Sequence, residues 1–278
     1  MAAPRAATLR GLNRIESIFA ELRAGRRRGL MPFVCGGYPA LSSTAAVLPA
    51  LERAGASIVE IGIPFSDPIA DGPVIAAAMH EALRLGATPL EVFDQVASVR
   101  GQVSIGLVAM CSVSIVQRMG GATGFCRQAK SAGFDGVIVP DVPLEESGEI
   151  RSAASGAGLT ASLLVAPTTP RERVAAIAKA STGFVYLLAR TGITGEREEP
   201  PEVSGMVRMI RETTDLPLAC GFGVSTAEHV RAVVRDGGAE AAIVGSALVR
   251  RMGDAAAGGK DPIEGAERFV RELAAGLV

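Results

Sequence analysis

Two histidines and three lysines are all that this 278-residue chain offers for the commonest nucleophilic and base chemistries. His80 and His229 each fall inside a stretch that reads as helix, so a Ser-His-Asp or Cys-His mechanism has little to build on. Lys130, Lys179 and Lys260 leave few candidates for a Schiff base. The four cysteines, Cys35, Cys111, Cys126 and Cys220, are scattered without a C-x-x-C pair, which excludes a Cys/His zinc site. No apolar run approaches the roughly 18 to 20 residues that span a bilayer, and the start of the chain lacks the apolar core of a secretory signal. A cytosolic protein is therefore expected. With 28 basic and 29 acidic side chains the net charge is -1, so no global field draws nucleic acid or an anionic membrane. What the chain does have is a composition of 48% hydrophobic and 21% charged residues, enough for one large core.

Eight short runs rich in β-branched residues recur: 31–35, 57–63, 103–109, 136–139, 160–165, 184–188, 216–220 and 241–244. Between them lie alanine-rich segments of helical spacing, several closed by glycine just before the next run, as at Gly55, Gly133, Gly158 and Gly237. Nearly continuous apolar strands separated by helices demand a covered parallel sheet. The pattern thus predicts an α/β fold, a single (β/α)8 TIM barrel, in preference to a doubly wound sheet of about six strands. One domain, 1–278, is expected, since no linker or low-complexity segment interrupts it. Ile15, Ile18, Phe19 and Leu22 fall at i, i+3, i+4 and i+7 and describe an extra N-terminal helix that plugs the barrel bottom. Long loops follow the second strand, 64–73, and the sixth, 189–202, at the end where barrel enzymes keep their chemistry.

Alternation along 57–64 sets Val59, Ile61 and Ile63 on one face and Ile58, Glu60 and Gly62 on the other. The bulky face suits the helices, so Glu60 points into the barrel. There an unpaired carboxylate is costly to ionise and suited to general acid/base work. In the loop that follows, Asp67 and Asp71 are equally natural turn formers and functional acids, and Asp141, between Pro140 and Pro143, is open to the same two readings. Glycine clusters at 192–195, 221–225 and 245–247 follow the last three strands. In a barrel such loops, with a helix N-terminus, form a phosphate cradle built of backbone amides. Ser225 and Ser246 serve equally as helix N-caps. Tyr186 alternates with Phe184 and Leu188 onto the inward face, as a core residue or a substrate contact.

The run from Val59 to Pro73, VEIGIPFSDPIADGP, resembles the signature of the tryptophan synthase α subunit. It is joined in order by Pro140–Ser147, by Tyr186–Gly195 and by the Gly221–Ser225 and Gly245–Ala247 loops, so the resemblance covers essentially the whole chain. It implies a lyase of tryptophan biosynthesis that cleaves indole-3-glycerol phosphate to indole and glyceraldehyde 3-phosphate by a retro-aldol reaction, with no cofactor in this subunit. It further implies that Glu60 shuttles protons and that Asp71 accepts the indole N–H. Phosphate binding falls to Gly195, Gly223, Gly245 and Ser246, and the substrate walls to Phe33, Val108, Ile138, Tyr186 and Phe222, with Thr194 in a closing loop. The implied partner is a β subunit carrying pyridoxal phosphate, in an α2β2 heterotetramer. One departure stands out: where the family commonly has a tyrosine and, two positions on, an asparagine, this chain reads Met110-Cys111-Ser112. Three other readings compete: a stand-alone indole-producing lyase, another phosphate-binding barrel enzyme, and a mainly regulatory or binding subunit of the β partner.

Overall fold

The computed structural model describes residues 11–68, 71–190 and 199–278. Its strands are β1 (Gly29–Cys35), β2 (Ile58–Gly62), β3 (Gly106–Met110), β4 (Gly136–Ile138), β5 (Thr160–Ala161), β6 (Leu164–Val165), β7 (Val185–Leu188), β8 (Leu218–Gly221) and β9 (Ala241–Val244). The first helices are α1 (Arg14–Ala24), α2 (Ser43–Arg53), α3 (Pro73–Arg84), α4 (Pro89–Val99), α5 (Val113–Arg118) and α6 (Gly121–Ala132). They are followed by α7 (Gly148–Gly156), α8 (Arg171–Ala180), α9 (Ser204–Arg211), α10 (Ala227–Arg231), α11 (Ser246–Ala257) and α12 (Pro262–Ala274).

All strands run parallel in the order β5-β4-β3-β2-β1-β9-β8-β7-β6. The two outermost members, β5 and β6, are halves of the strand expected at 160–165. Where the sequence predicts eight strands, the fifth is therefore divided. β5 pairs with β4 and β6 with β7, and between them Ser162 N–H donates to Val137 O at 3.3 Å while Leu163 O accepts from Tyr186 N–H at 3.0 Å. The ladder therefore continues through the break, and the ring closes. This is the (β/α)8 barrel that the alternation predicts.

The outer apolar faces, with Val59, Ile61, Leu107, Ala109 and Val137, join the helices in one large core. Inside the barrel a second cluster begins at its floor, where Ile15, Phe19 and Leu22 of α1 pack with Met31, Ile58 and Phe184. The Phe19 and Phe184 rings lie 5.8 Å apart, centroid to centroid. The plug forms where the apolar spacing predicts it, and its start is set by Asn13. Asn13 makes a reciprocal capping box with Glu16, and its Nδ2 donates to Asp135 O at 2.9 Å and Gly158 O at 2.8 Å. Both ends of α1 are then fastened to buried acids: Arg14 lies 3.7 Å from Asp135 and Arg23 is 3.0 Å from Glu240. Each of these acids sits just ahead of a strand and accepts a backbone N–H from the strand beside it, Leu107 at 3.0 Å and Leu218 at 2.8 Å. The floor is thus sealed, which leaves the opposite mouth, where the strand C-termini lie, as the open end.

Candidate active site

Alternation along β2 aims Glu60 inward, in register with Phe33 on β1 and Val108 on β3. Its exposure is 0%, and neither carboxyl oxygen has a hydrogen-bond partner among the described residues. Burial alone pushes its pKa from 4.5 up to about 8, so the group is held as a neutral acid at pH 7. Among the described residues, no arginine or lysine makes this interior acid a structural ion pair.

A cavity of about 410 Å³ opens at the barrel mouth; Glu60 itself does not line it, but Phe33, its register partner on β1, does. One side is apolar, with Phe33, Ile75, Met110, Tyr186, Leu188 and Phe222. Gly62, two residues beyond Glu60 on the same face, makes room for this wall: a Cβ there would collide with the Phe33 ring, whose Cε2 would lie at 2.7 Å. Asp71 enters the lining from the loop after β2, just ahead of α3, where Gly72 is the N-cap and Pro73 opens the helix. Partial burial raises its pKa to about 6, so Asp71 is mostly ionised at pH 7 while Glu60 is not. Tyr186 shares this neighbourhood: burial pushes its hydroxyl well above the usual value, and the charges of Glu60, Cys220 and Asp71 push in the same direction. His80 fastens the loop from α3, its Nε2 lying 3.0 Å from Ser66 O, and Ser66 Oγ donates to Asp67 at 2.6 Å.

The other end of the cavity is built of backbone. Phe222 and Gly223, directly after β8, both take positive φ, 81° and 80°, and Gly223 lines the cavity. Gly245 is the N-cap of the twelve-residue α11 and makes no side-chain cap, and Ser246 and Ala247 of the first turn line the cavity beside it. A helix N-terminus facing a ligand cavity beside glycine backbone suits a phosphate.

Several expectations are refined. The N-cap of α10 is Thr226, which accepts from His229 N–H at 3.1 Å, not Ser225, and Ser246 is the first residue of α11 rather than its cap. Val108 and Ile138 belong to the interior cluster with Tyr186 and, like Glu60, do not line the cavity itself, whereas Met110 and Leu164 do. Asp141 lines the cavity and also holds the neighbouring loop, accepting from Ser112 Oγ at 2.7 Å and Val113 N–H at 2.9 Å. Thr194 and Gly195 lie outside the described residues. Ile75 and Met79 were not singled out from the sequence; their signal is the i, i+4 spacing that puts both on one face of α3.

Comparison with known proteins points one way. A model of the family described as tryptophan synthase alpha chain matches residues 19–278. The tryptophan synthase alpha chain of Synechococcus sp. (strain CC9902) is 47% identical over 241 residues, 86% of this chain and 89% of that one. That of Prochlorococcus marinus (strain MIT 9313) is 46% identical over 245 residues, 88% of each. Among solved structures, tryptophan synthase subunit alpha from Legionella pneumophila str. Paris superposes with a TM-score of 0.88 at 30% identity, covering 96% of this chain and 99% of that one. Tryptophan synthase from M. tuberculosis in its aminoacrylate-bound form gives 0.84 at 30% identity, covering 96% and 100%.

Proposed function

The chain belongs to the tryptophan synthase alpha chain family and is a lyase that cleaves indole-3-glycerol phosphate to indole and glyceraldehyde 3-phosphate, and from that premise we propose that Glu60 and Asp71 divide the chemistry between them. The bond between the indole ring and the glycerol chain breaks only when the ring can take up the bond pair, which requires protonation at the ring carbon to give an iminium. Glu60, neutral up to about pH 8, supplies that proton. Its carboxylate then removes the proton of the glycerol hydroxyl on the carbon that becomes the aldehyde. As that bond breaks, its electron pair returns to the ring, indole leaves, and Glu60 ends protonated as it began. Asp71, charged above about pH 6, accepts the indole N–H and offsets the positive charge of the iminium. Two carboxylates thus take two roles because burial treats them unequally.

The observation that carries this reading is the fully buried Glu60 carboxyl, without a partner among the described residues, beside Phe33 in the wall of a cavity that Asp71 also lines. Phe33, Tyr186 and Phe222 would wall the substrate, Gly223, Gly245 and Ser246 would cradle its phosphate with Gly195, and Thr194 would close over it. The test is indole release by the purified protein. Glu60→Gln and Asp71→Asn should each lower kcat by roughly 10² to 10⁴, the usual worth of a positioned acid or base. Unchanged cleavage by Glu60→Gln would remove Glu60 from the mechanism.

The proposal extends to the setting: one barrel domain spanning 1–278, working in the cytoplasm as the α subunit of an α2β2 complex whose β subunit carries pyridoxal phosphate. Family membership and a likeness to an assembled tryptophan synthase support it, and no helix among the described residues is long and apolar enough to cross a membrane. A cognate β subunit should raise the rate of indole release. A rate indifferent to it would make this a stand-alone indole-producing lyase.

A further inference from the structure

His229 lies on α10, outside the reacting pair, yet it is 98% enclosed, at 2% exposure, and turned back toward the loop that follows β8. Its Nδ1 is 3.1 Å from Gly223 O, 3.3 Å from Ser225 N and 3.4 Å from Ser225 Oγ. A protonated Nδ1 donates to the Gly223 carbonyl, and an unprotonated one accepts the Ser225 N–H; either tautomer ties the ring to the loop. The backbone of His229 is itself fixed, because its N–H donates to the Thr226 hydroxyl at 3.1 Å. Thr226 thus caps the helix through the His229 N–H, while the ring of this third helical residue reaches back past the cap to Ser225 and Gly223.

The loop needs such a tie. Among the described residues, only Arg26 and Phe222 have positive φ without being glycine, and Phe222, at 81°, sits directly before Gly223 in the cavity wall. A bulky side chain in that conformation is strained and persists only where its surroundings hold it. α10 is in turn braced from behind. A Cβ on Gly276, near the chain's end, would strike the Ala227 carbonyl oxygen and lie 2.9 Å from Val230 Cβ, so these two segments pack backbone to backbone. The helix then passes at once into a π-helical turn, 232–236, a distortion frequent beside functional sites.

We propose that His229 is a positioning residue for the phosphate: through Gly223 and Ser225 it holds the strained Phe222-Gly223 turn in the shape that presents this loop to the anion. The proposal rests on the reading of that loop as a phosphate cradle. Its test uses His229→Ala, His229→Asn and Gly245→Val in the purified protein, with inorganic phosphate as a competitive inhibitor of indole release and indole itself as the unphosphorylated probe. The absence of tryptophan from the chain lets indole binding be followed by its own fluorescence.

His229→Ala should raise both the inhibition constant of phosphate and KM about tenfold, the scale of one lost buried hydrogen bond. It should leave kcat within about twofold of the parent and indole affinity unchanged. His229→Asn, whose amide places a donor and an acceptor near the position of Nδ1, should recover most of the loss. The proposal fails if His229→Ala binds phosphate like the parent, or if His229→Asn is as impaired as His229→Ala, since the ring would then be filling space only. Gly245→Val separates the layers: if it abolishes phosphate affinity while His229→Ala does not, only the role of His229 falls, whereas unchanged affinity in Gly245→Val would overturn the cradle itself.

Discussion

Replacing Glu60 by glutamine removes an ionisation while keeping the volume of a side chain that has no solvent contact and no hydrogen-bond partner among the described residues. The folded protein keeps the Glu60 proton up to about pH 8, whereas the unfolded chain releases it near 4.5. Across that window the unfolded state binds fewer protons than the folded one, so the parent loses stability as pH rises, and above about pH 8 the loss stops growing. At about 1.4 kcal/mol per pH unit, the glutamine variant should gain on the order of 3 kcal/mol on its parent between pH 5 and pH 8. Whatever the buried amide costs is the same at every pH, so the change with pH isolates the carboxyl. Thermal unfolding followed by far-UV circular dichroism is the assay. The Tm difference between variant and parent should grow in the variant's favour by roughly 6 to 12 °C from pH 5 to pH 8. A difference that stays flat would mean that Glu60 ionises in its ordinary range, and the role assigned to it as a neutral acid would lose its basis.

Three further outcomes follow from the same geometry. The pH profile of kcat/KM should be bell-shaped, rising through about 6 as Asp71 ionises and falling through about 8 as Glu60 loses its proton, and Asp71→Asn should flatten the acid limb; a profile with one limb would refute the pairing. Gly62→Ala should drive the Phe33 ring from its place in the cavity wall and raise KM on the order of tenfold in steady-state assays, with stability lower by about 1 to 3 kcal/mol. Asn13→Ala should cost about 1 to 2 kcal/mol through the lost cap of the plug helix, seen as a lower Tm at unchanged kcat, because Asn13 lies at the barrel end remote from the cavity.

The barrel and the position of Glu60 were legible because both rest on periodicity. A strand with bulky residues at 59, 61 and 63 has only one face left for the helices, and the glutamate on its other face must point inward. The plug helix was readable for the same reason. What escaped depended on contacts distant in sequence. The run 160–165 is evenly apolar or small, and nothing in it marks the interruption at Ser162 and Leu163, where pairing passes from β4 to β7. Ser225 and Thr226 are adjacent hydroxyls with equal capping chemistry, and only the backbone direction after Gly223 selects Thr226. Val108 and Ile138 were placed on the substrate wall by resemblance, but inward alternation alone does not say how deep in the barrel a residue lies. His229 read as an ordinary helical histidine, because nothing in its local spacing shows that its ring turns back past the Thr226 cap to Ser225 and Gly223.

The division of the closing strand has a consequence for how the molecule forms. Strands β1–β5 and β6–β9 are two arcs joined in two ways, by the β1–β9 ladder and by the peptide bonds through Ser162 and Leu163. While either arc is incomplete, each exposes a parallel edge of unpaired N–H and C=O groups, the kind of template that recruits other chains. The seam is where both edges vanish together, because a single two-residue step carries one ladder's last hydrogen bond and the next one's first. Ser162 and Leu163 thus close the β5 and β6 edges of the sheet, as the β1–β9 ladder closes the other two.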